Sequence, residues 1–516
     1  MRLATIFTDH MVFQKGMPIR VFGEGRGSVQ ISFLGERKEF VSEEDNWCLS
    51  LSAREYGGPY EMTVRMNGEE VILHDIYVGE VWLAGGQSNM EMPLMRSEYG
   101  LEEASHCSND QIRFFMVPRR VRKDSPIRGW HFAKSEGKDT PGQLCCEESA
   151  LPFSAIGYYA AKELQAKLGC AVGVISCNWG GRVIETYIGR EWIAQEPCLQ
   201  EYYQAQLAMT EGWTPEDYEA HLRAVEDSLQ KSYEMVDFDE MQALREKGLR
   251  ATTGFSGGAF PVIPEGPYHP SAMGCLYDSM YARILPYGIK GIMWYQGESN
   301  TSVKYLEKYL LYMKCMKESF QNPELVFYAV ELAGHNTQWS PEGCFISDRF
   351  VETENWAFRR EQQQLATEAA PDNYLITSME QEDLNDIHPI RKKELGHRMA
   401  VKILKHSYGF DLCADQPVFR KATFEKGRVI LEFDHAEGLY AIGGTAGVFM
   451  YVADESHVLK KAKIEIRGDK LILTSDEVKQ PCLVRYAFDN YYLGRHIYNR
   501  GGLPMAPFRT DKFLLH

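Results

Sequence analysis

Ser88 is the residue of this sequence best placed to act as a nucleophile. It lies in the motif GGQSNM at residues 85–90, directly after the apolar run at residues 76–84. Two glycines allow a sharp backbone turn, which would present the Ser88 hydroxyl and its own N–H at the mouth of a cleft. Because serine and asparagine also close ordinary turns, the motif indicates a nucleophile only together with a suitable base.

His388 is the candidate base, because it alone of the fourteen histidines combines a strand end, an adjacent acid and a helix start. Pro389 fits the first position of the following helix, which predicts His388 as the N-cap. A helix N-terminus disfavours an imidazolium, so a base there needs a nearby carboxylate, and Asp386 can supply it. The alternative is a histidine that only caps the helix. The apolar residues that recur at helical spacing are Ile390, Leu395, Met399 and Ile403.

Two further motifs could stabilise a developing oxyanion. The paired glycines Gly180 and Gly181 can hold a free N–H toward such a charge, since glycine allows close approach of the backbone. The motif QGESN contains Gln296 and Asn300, whose amides could donate to an oxyanion, and Glu298, which could orient other side chains. Each motif alone is also compatible with an ordinary polar turn.

All of these motifs follow apolar runs that read as buried strands alternating with helices, the pattern of a parallel α/β sheet. In such sheets ligands bind beyond the carboxyl ends of the strands, so the motifs are expected to converge there. The runs are IYVGEVWLA (76–84), AVGVISC (171–177), IKGIMWY (289–295), LVFYAVEL (325–332) and YLITSM (374–379).

The pattern predicts three domains. Short alternating runs and the turn signal Asn67-Gly68 indicate an N-terminal β-domain over residues 1–75. An α/β domain follows at 76–410, with a polar helical insertion at about 190–250 that is interpreted as surface decoration rather than a lid. Alternation returns in a C-terminal β-domain at 411–516, with a hairpin turn at Gly468-Asp469.

The charged-residue composition limits the classes of partner that are expected for this chain. Fifty-six basic and seventy-two acidic residues give a formal charge of −16, which argues against nucleic acid and anionic membrane surfaces. The N-terminus has no uninterrupted apolar stretch typical of a signal peptide, and the twelve cysteines include no CxxC pair. These features predict a cytoplasmic protein, although a chain trimmed of its signal peptide would look the same. The sequence leaves open a homo-oligomer.

Taken together, the motifs resemble the sialate O-acetylesterase-like branch of the SGNH hydrolases, a GDSL-type esterase superfamily. The resemblance rests on four motifs in the right order and extends to both ends of the chain. The matching stretches are VGEVWLAGGQSNMEMPL, the Gly180-Gly181 turn, GIMWYQGESN and NDIHPIRKKELGHRMA, flanked by TDHMVFQKGMPIRVFGEG and GGLPMAPFRTD.

This resemblance implies a flavodoxin-like three-layer core with a parallel sheet, flanked by the two β-domains, and a serine carboxylic-ester hydrolase that needs no metal or organic cofactor. Ser88 would be the nucleophile and His388 the base. The Ser88 N–H and Gly181 would form the oxyanion hole, with a side-chain donor from Gln296 or Asn300.

The acid that orients His388 stays open, because the family usually places it three residues before the histidine, where this chain has Asn385. Asp386 is the first candidate, followed by Asp383 and Glu298. A Ser-His dyad without an acid is a further alternative.

The implied substrate is an acetylated sugar or oligosaccharide, sialic acid or a neutral glycan. A sialate carboxylate would need a cationic partner, and Arg182 is the candidate. Two rival functions are considered: a non-catalytic glycan-binding protein, and a metal-dependent hydrolase built on Glu298, Asp386 and His388.

Overall fold

The computed structural model of the protein describes residues 2–121, 143–234, 262–300, 304–335, 356–381 and 386–512. Residues 235–261, which include the end of the predicted insertion, lie outside these ranges. So do Asp383, the second candidate acid, and Asn385.

An antiparallel β-region forms the N-terminal part of the chain. Strands β1, β3 and β6 form one sheet, and β4, β5 and β7 join the first half of β8. The β7–β8 turn is Asn67-Gly68, whose φ angles of 51° and 88° suit a two-residue hairpin. The strands are β1 (Arg2–Leu3), β2 (Val12–Gln14), β3 (Ile19–Glu24), β4 (Gly27–Phe33), β5 (Glu36–Ser42), β6 (Asn46–Leu51), β7 (Gly57–Met66) and β8 (Glu69–Gly86).

Strand β8 is 18 residues long and continues into the central sheet, so the predicted boundary at residue 75 falls inside a strand. The central order is β10-β9-β11-β8-β12-β13-β14, and every neighbouring pair is parallel except β10–β9. Its other strands are β9 (Asn109–Met116), β10 (Gln143–Cys145), β11 (Val172–Asn178), β12 (Gly291–Tyr295), β13 (Val326–Val330) and β14 (Asn373–Ile376).

The five apolar runs all form strands of this sheet, but β9 and β10 were not predicted. Strand β9 reads NDQIRFFM, which begins with polar residues and contains a buried arginine. Arg113 is tolerated because its guanidinium pairs with Asp75, at 2.9 Å, and lies over the ring of Tyr77. These partners come from β8, so the sequence of β9 alone did not show a strand.

Apolar side chains cover both faces of the sheet. Trp82 packs in one cluster with Leu164 and Leu395, whereas its neighbour Leu83 packs in another with Tyr309. This alternation follows from the two-residue period of a strand. The helices that carry these partners are α4 (Ala155–Leu168), α9 (Tyr305–Ser319) and α11 (Lys392–Tyr408).

Shorter helices and the insertion complete the α/β part. The insertion contains α5, α6 and α7, and Thr214 caps α7 by accepting the N–H of Asp217. The remaining helices are α1 (Ser88–Glu91), α2 (Gly100–Ala104), α3 (Glu147–Ala150), α5 (Arg190–Ile193), α6 (Gln200–Ala208), α7 (Pro215–Glu234), α8 (Cys275–Ser279) and α10 (Trp356–Ala369).

Ten strands follow α11 and form three small sheets, with the turn Gly468-Asp469 joining β20 to β21. No helix in the described ranges is long and apolar enough to cross a membrane. The strands are β15 (Val418–Glu425), β16 (Arg428–Asp434), β17 (Tyr440–Ala441), β18 (Met450–Ala453), β19 (Lys460–Lys461), β20 (Lys463–Arg467), β21 (Lys470–Thr474), β22 (Leu483–Tyr486), β23 (Ile497–Tyr498) and β24 (Phe508–Arg509).

Helix α11 begins three residues later than predicted, so the expectation that His388 is its N-cap was wrong. The carboxylate of Asp386 accepts the backbone N–H of His388 at 2.9 Å, which closes a local turn instead of starting the helix. The next residues are held by a tertiary contact, since the carbonyl of Ile390 accepts the N–H of Glu98. Ile390 is consequently 45% exposed, while Leu395, Met399 and Ile403 are fully buried.

The burial of Leu395 and the exposure of Ile390 predict different effects of their substitution on stability. Leu395→Ala should lower the free energy of unfolding by about 3 kcal/mol, because it leaves a cavity in the core. Ile390→Ala should change it by less than about 0.5 kcal/mol, because that side chain is largely exposed. Thermal unfolding of both variants checks this, and equal losses would contradict the observed helix start.

Candidate active site

A tight turn after β8 positions Ser88. Gly86 has φ of 133°, and a Cβ there would lie 2.1 Å from the carbonyl oxygen of Tyr295 on the neighbouring strand. Only glycine fits this close approach. The chain then enters α1, of which Ser88 is the first residue.

The structure brings Ser88 and His388 together. The Ser88 Oγ lies 2.8 Å from the Nε2 atom of His388, which stands in the loop between β14 and α11. Both residues are partly exposed, so a substrate can reach the hydroxyl. A hydroxyl donating to a neutral imidazole nitrogen at this distance is the arrangement of a serine nucleophile and its general base.

Asp386 lies on the other side of the imidazole. Its Oδ1 is 3.3 Å from the Nδ1 atom of His388 and also accepts the backbone N–H of that residue. Burial alone would raise the pKa of Asp386, but the hydrogen bonds from His388 outweigh this and leave the pKa below its ordinary value. Asp386 is therefore an ionised carboxylate that favours the Nδ1-protonated tautomer, with Nε2 free to accept from Ser88.

Glu298 supplies a second carboxylate to the site. Its Oε1 accepts from the Nδ2 of Asn89 at 2.6 Å, while its Oε2 is buried and accepts no hydrogen bond from the described residues. Burial raises the pKa of Glu298, partly opposed by the Asn89 hydrogen bond and by the charges of His388 and Lys392. Glu298 thus acts on the histidine as a nearby charge, and Asp386 makes the direct contact.

Two backbone N–H groups, those of Ser88 and Gly181, could donate to an oxyanion beside the Ser88 hydroxyl. Neither the N–H of Ser88 nor that of Gly181 donates to an acceptor in the described part of the chain. Gly181 is exposed and has φ of 71°. The adjoining Gly180 packs against the nucleophile, since a Cβ on it would lie 3.1 Å from the Ser88 Cβ, and its N–H donates to Glu91 at 2.5 Å.

Gln296 and Asn300 are buried close together, but their amides have protein partners. The Nε2 of Gln296 donates to the carbonyl of Arg182 at 3.1 Å and to the Asn300 Oδ1 at 2.5 Å. The Nδ2 of Asn300 donates to Glu185 at 2.8 Å. Both amides thus donate to protein acceptors, and their predicted contact with an oxyanion stays a prediction.

Arg182 lies next to the glycine turn. Its Nη1 donates to the Ser271 hydroxyl at 2.8 Å, and its guanidinium lies 5.5 Å from the ring centre of Trp179. Within the described residues no group of three or more His, Cys, Asp or Glu side chains is arranged to hold a metal ion.

Several residues of the site were not predicted from the sequence. Glu91 anchors the glycine turn and pairs with Arg119 at 3.2 Å. Asn89 and Lys392 form a buried hydrogen bond beside Ser88. The sequence did not indicate Lys392 as a site residue, because lysine is almost always exposed. Asn89, by contrast, directly follows the nucleophile in the motif and could have been singled out.

Residues 268–405 match the family model SASA, described as "Carbohydrate esterase, sialic acid-specific acetylesterase". This region contains Gln296, Glu298 and His388, whereas Ser88 precedes it.

Among characterised relatives, the sialate O-acetylesterase of Mus musculus is 25% identical over 318 residues, covering 58% of this chain and 52% of the mouse protein. The sialate O-acetylesterase of Homo sapiens is 20% identical over 437 residues, covering 79% of this chain and 71% of the human protein. The chain therefore matches about half the length of the mouse relative. A crystal structure of a carbohydrate acetylesterase from Xanthomonas citri superposes with a TM-score of 0.74 at 28% identity, covering 99% of this chain and 100% of that one.

The Ser88–His388 contact predicts reactivity toward a fluorophosphonate probe. We expect the probe to label wild type at Ser88, and His388→Ala to slow labelling by about 10³-fold or more, because the hydroxyl loses its base. The control is His406→Ala, since His406 also contacts a carboxylate, Asp415 at 2.8 Å, but not Ser88. Time-resolved mass spectrometry of the labelled peptide measures both rates, and equal slowing would contradict the assignment.

Proposed function

Because the chain belongs to the sialate O-acetylesterase-like family, we propose that it is a carbohydrate O-acetylesterase of the SGNH type. The observation that carries the proposal is the 2.8 Å contact between Ser88 Oγ and His388 Nε2 at the carboxyl end of the parallel strands. A sheet covered on both faces supports the three-layer form of this fold.

The proposed reaction follows the acyl-transfer template. His388 Nε2 takes the proton of the Ser88 hydroxyl as the oxygen attacks the acetyl carbonyl, and the resulting oxyanion is held by the N–H groups of Ser88 and Gly181. His388 then gives the proton to the sugar oxygen, which leaves as an alcohol. Water, deprotonated by His388, releases acetate from the acyl-enzyme and restores Ser88. Each oxyanion donor contributes about 3 kcal/mol.

We assign Asp386 as the acid that orients His388. Its contact with Nδ1 and its lowered pKa support an ionised carboxylate that stabilises the imidazolium formed during attack. Glu298 is held by Asn89 instead and adds a second negative charge. This assignment keeps the first of the three candidates predicted from the sequence.

The substrate class that we propose is an acetylated sugar. The relatives are described as acting on sialate or carbohydrate acetyl esters, and the partly exposed serine is compatible with a bulky alcohol group. Arg182 is the proposed partner for a sialate carboxylate, because it lies at the glycine turn of the site. If the protein is cytoplasmic, as its sequence predicts, the substrates are short imported oligosaccharides.

Acetate release from a substrate panel tests the function. Wild type should release acetate from O-acetyl sialic acid or from acetylated xylo- and manno-oligosaccharides, and Ser88→Ala should lower the rate by at least about 10³-fold. If sialate is the substrate, Arg182→Gln should raise its KM about tenfold and leave that of neutral sugars unchanged. Binding of the sugars without acetate release would favour a glycan-binding protein instead.

Paired substitutions test the choice of acid. Asp386→Asn should lower kcat by about 10² to 10⁴-fold, because an amide no longer stabilises the imidazolium or its tautomer. Glu298→Gln should cost at most about tenfold, since glutamine can still accept from Asn89. Steady-state kinetics on one acetyl ester compares them. A larger loss of kcat in Glu298→Gln than in Asp386→Asn would assign the role to Glu298. Only a small loss of kcat in both variants would indicate a Ser-His dyad.

A further inference from the structure

Lys392 is a fully buried lysine in the first turn of α11. Its ammonium donates to the Oδ1 of Asn89 at 2.6 Å and lies 5.2 Å from the ring centre of Tyr295. Removing a charged amine from water costs several kcal/mol, so a position like this one needs compensation from its neighbours. The compensation comes from Asn89, which follows Ser88, and from the carboxylates of Glu298 and Asp386.

Asn89 connects this lysine to the histidine loop. Its Nδ2 donates to the Glu298 Oε1 at 2.6 Å and to the carbonyl of Ile387 at 3.0 Å. Asn89 directly follows Ser88, and Ile387 directly precedes His388. One amide therefore joins the backbone beside the nucleophile to the backbone beside the base.

Lys392 sets the orientation of that amide together with Glu298 and the Ile387 carbonyl. If the amide of Asn89 rotated by 180°, its NH₂ would face the ammonium, and its oxygen would face the Glu298 carboxylate and the Ile387 carbonyl. Donors would then oppose donors and acceptors oppose acceptors. An ammonium, which can only donate, excludes this arrangement.

We propose that Lys392 is a positioning residue of the active site: it fixes the Asn89 amide, which holds the His388 loop where Nε2 meets the Ser88 hydroxyl. The inference rests on the proposed function, because its effect is on the serine-histidine pair. Lys392 does not touch the substrate.

The burial of Lys392 and the charges around it predict how its protonation, and with it kcat, depends on pH. Burial lowers the pKa of Lys392 to about 7, with Arg96 acting in the same direction and Glu298 and Asp386 opposing it. The lysine is therefore charged below about pH 7 and neutral above it. A neutral amine can accept as well as donate, so it no longer excludes the rotated Asn89 amide, and kcat should fall as pH rises through this range.

Lys402 provides a matched control on the same helix. It is also buried, and burial lowers its pKa to about 8. Its ammonium donates to the Leu375 carbonyl and to Gln416, both at 2.8 Å, and pairs with Asp415. These partners have no contact with Ser88 or His388.

The experiment compares Lys392→Met with Lys402→Met in the full chain, using p-nitrophenyl acetate as the ester. For Lys392→Met we expect kcat to fall about 100-fold, with KM changed less than about threefold and the decline of kcat near pH 7 abolished. Lys402→Met should keep the wild-type kcat within about threefold and the wild-type pH profile. Equal effects of the two substitutions would overturn the inference.

A double-mutant cycle keeps the inference testable if Lys392→Met folds poorly. Asn89→Ala leaves the lysine in place but should reproduce the loss of kcat and of the pH response. Adding Lys392→Met to Asn89→Ala should then cost less than about twofold more, because both act through one amide. Independent, multiplying effects would contradict the inference. Hydrolysis that survives Ser88→Ala would instead overturn the proposed function.

Discussion

The hydrogen bond between Ser88 and His388 joins residues 300 positions apart, so its length is set by the elements that carry them. Ser88 is fixed by the turn at Gly86, where the backbone passes so close to Tyr295 that no side chain fits. His388 has no regular element of its own and depends on hydrogen bonds to its loop. The sheet therefore fixes one partner rigidly, and polar contacts must fix the other.

The polar contacts form two groups around Ser88. Asp386 holds the histidine loop by accepting the N–H of His388, and Asn89 holds it by donating to the carbonyl of Ile387. Glu91 holds the glycine turn on the other side of Ser88. Buried polar groups cost free energy when unpaired, so each hydrogen bond of this network stabilises the site. The same hydrogen bonds fix the glycine turn and the histidine loop in place.

The sequence located the site well where local patterns decide it. Apolar runs ending in glycine or polar motifs identify strand ends, and parallel strands bring those ends to one edge, which is why Ser88 and His388 meet. It failed where long-range partners decide. The partner of Arg113 in strand β9 is Asp75, and the carbonyl of Ile390 accepts the N–H of Glu98 just before helix α11. None of these partners lies in a pattern visible from the segment alone.

Charge balance explains why one histidine has two carboxylates and a buried lysine for neighbours. In the proposed mechanism, ionised Asp386 and Glu298 beside a protonated Lys392 would give the group one net negative charge while the imidazole is neutral. When His388 takes the serine proton, the imidazolium brings this sum to zero. A low-dielectric site thus has an uncompensated charge before attack and a balanced one during it, which favours the state in which the base is protonated.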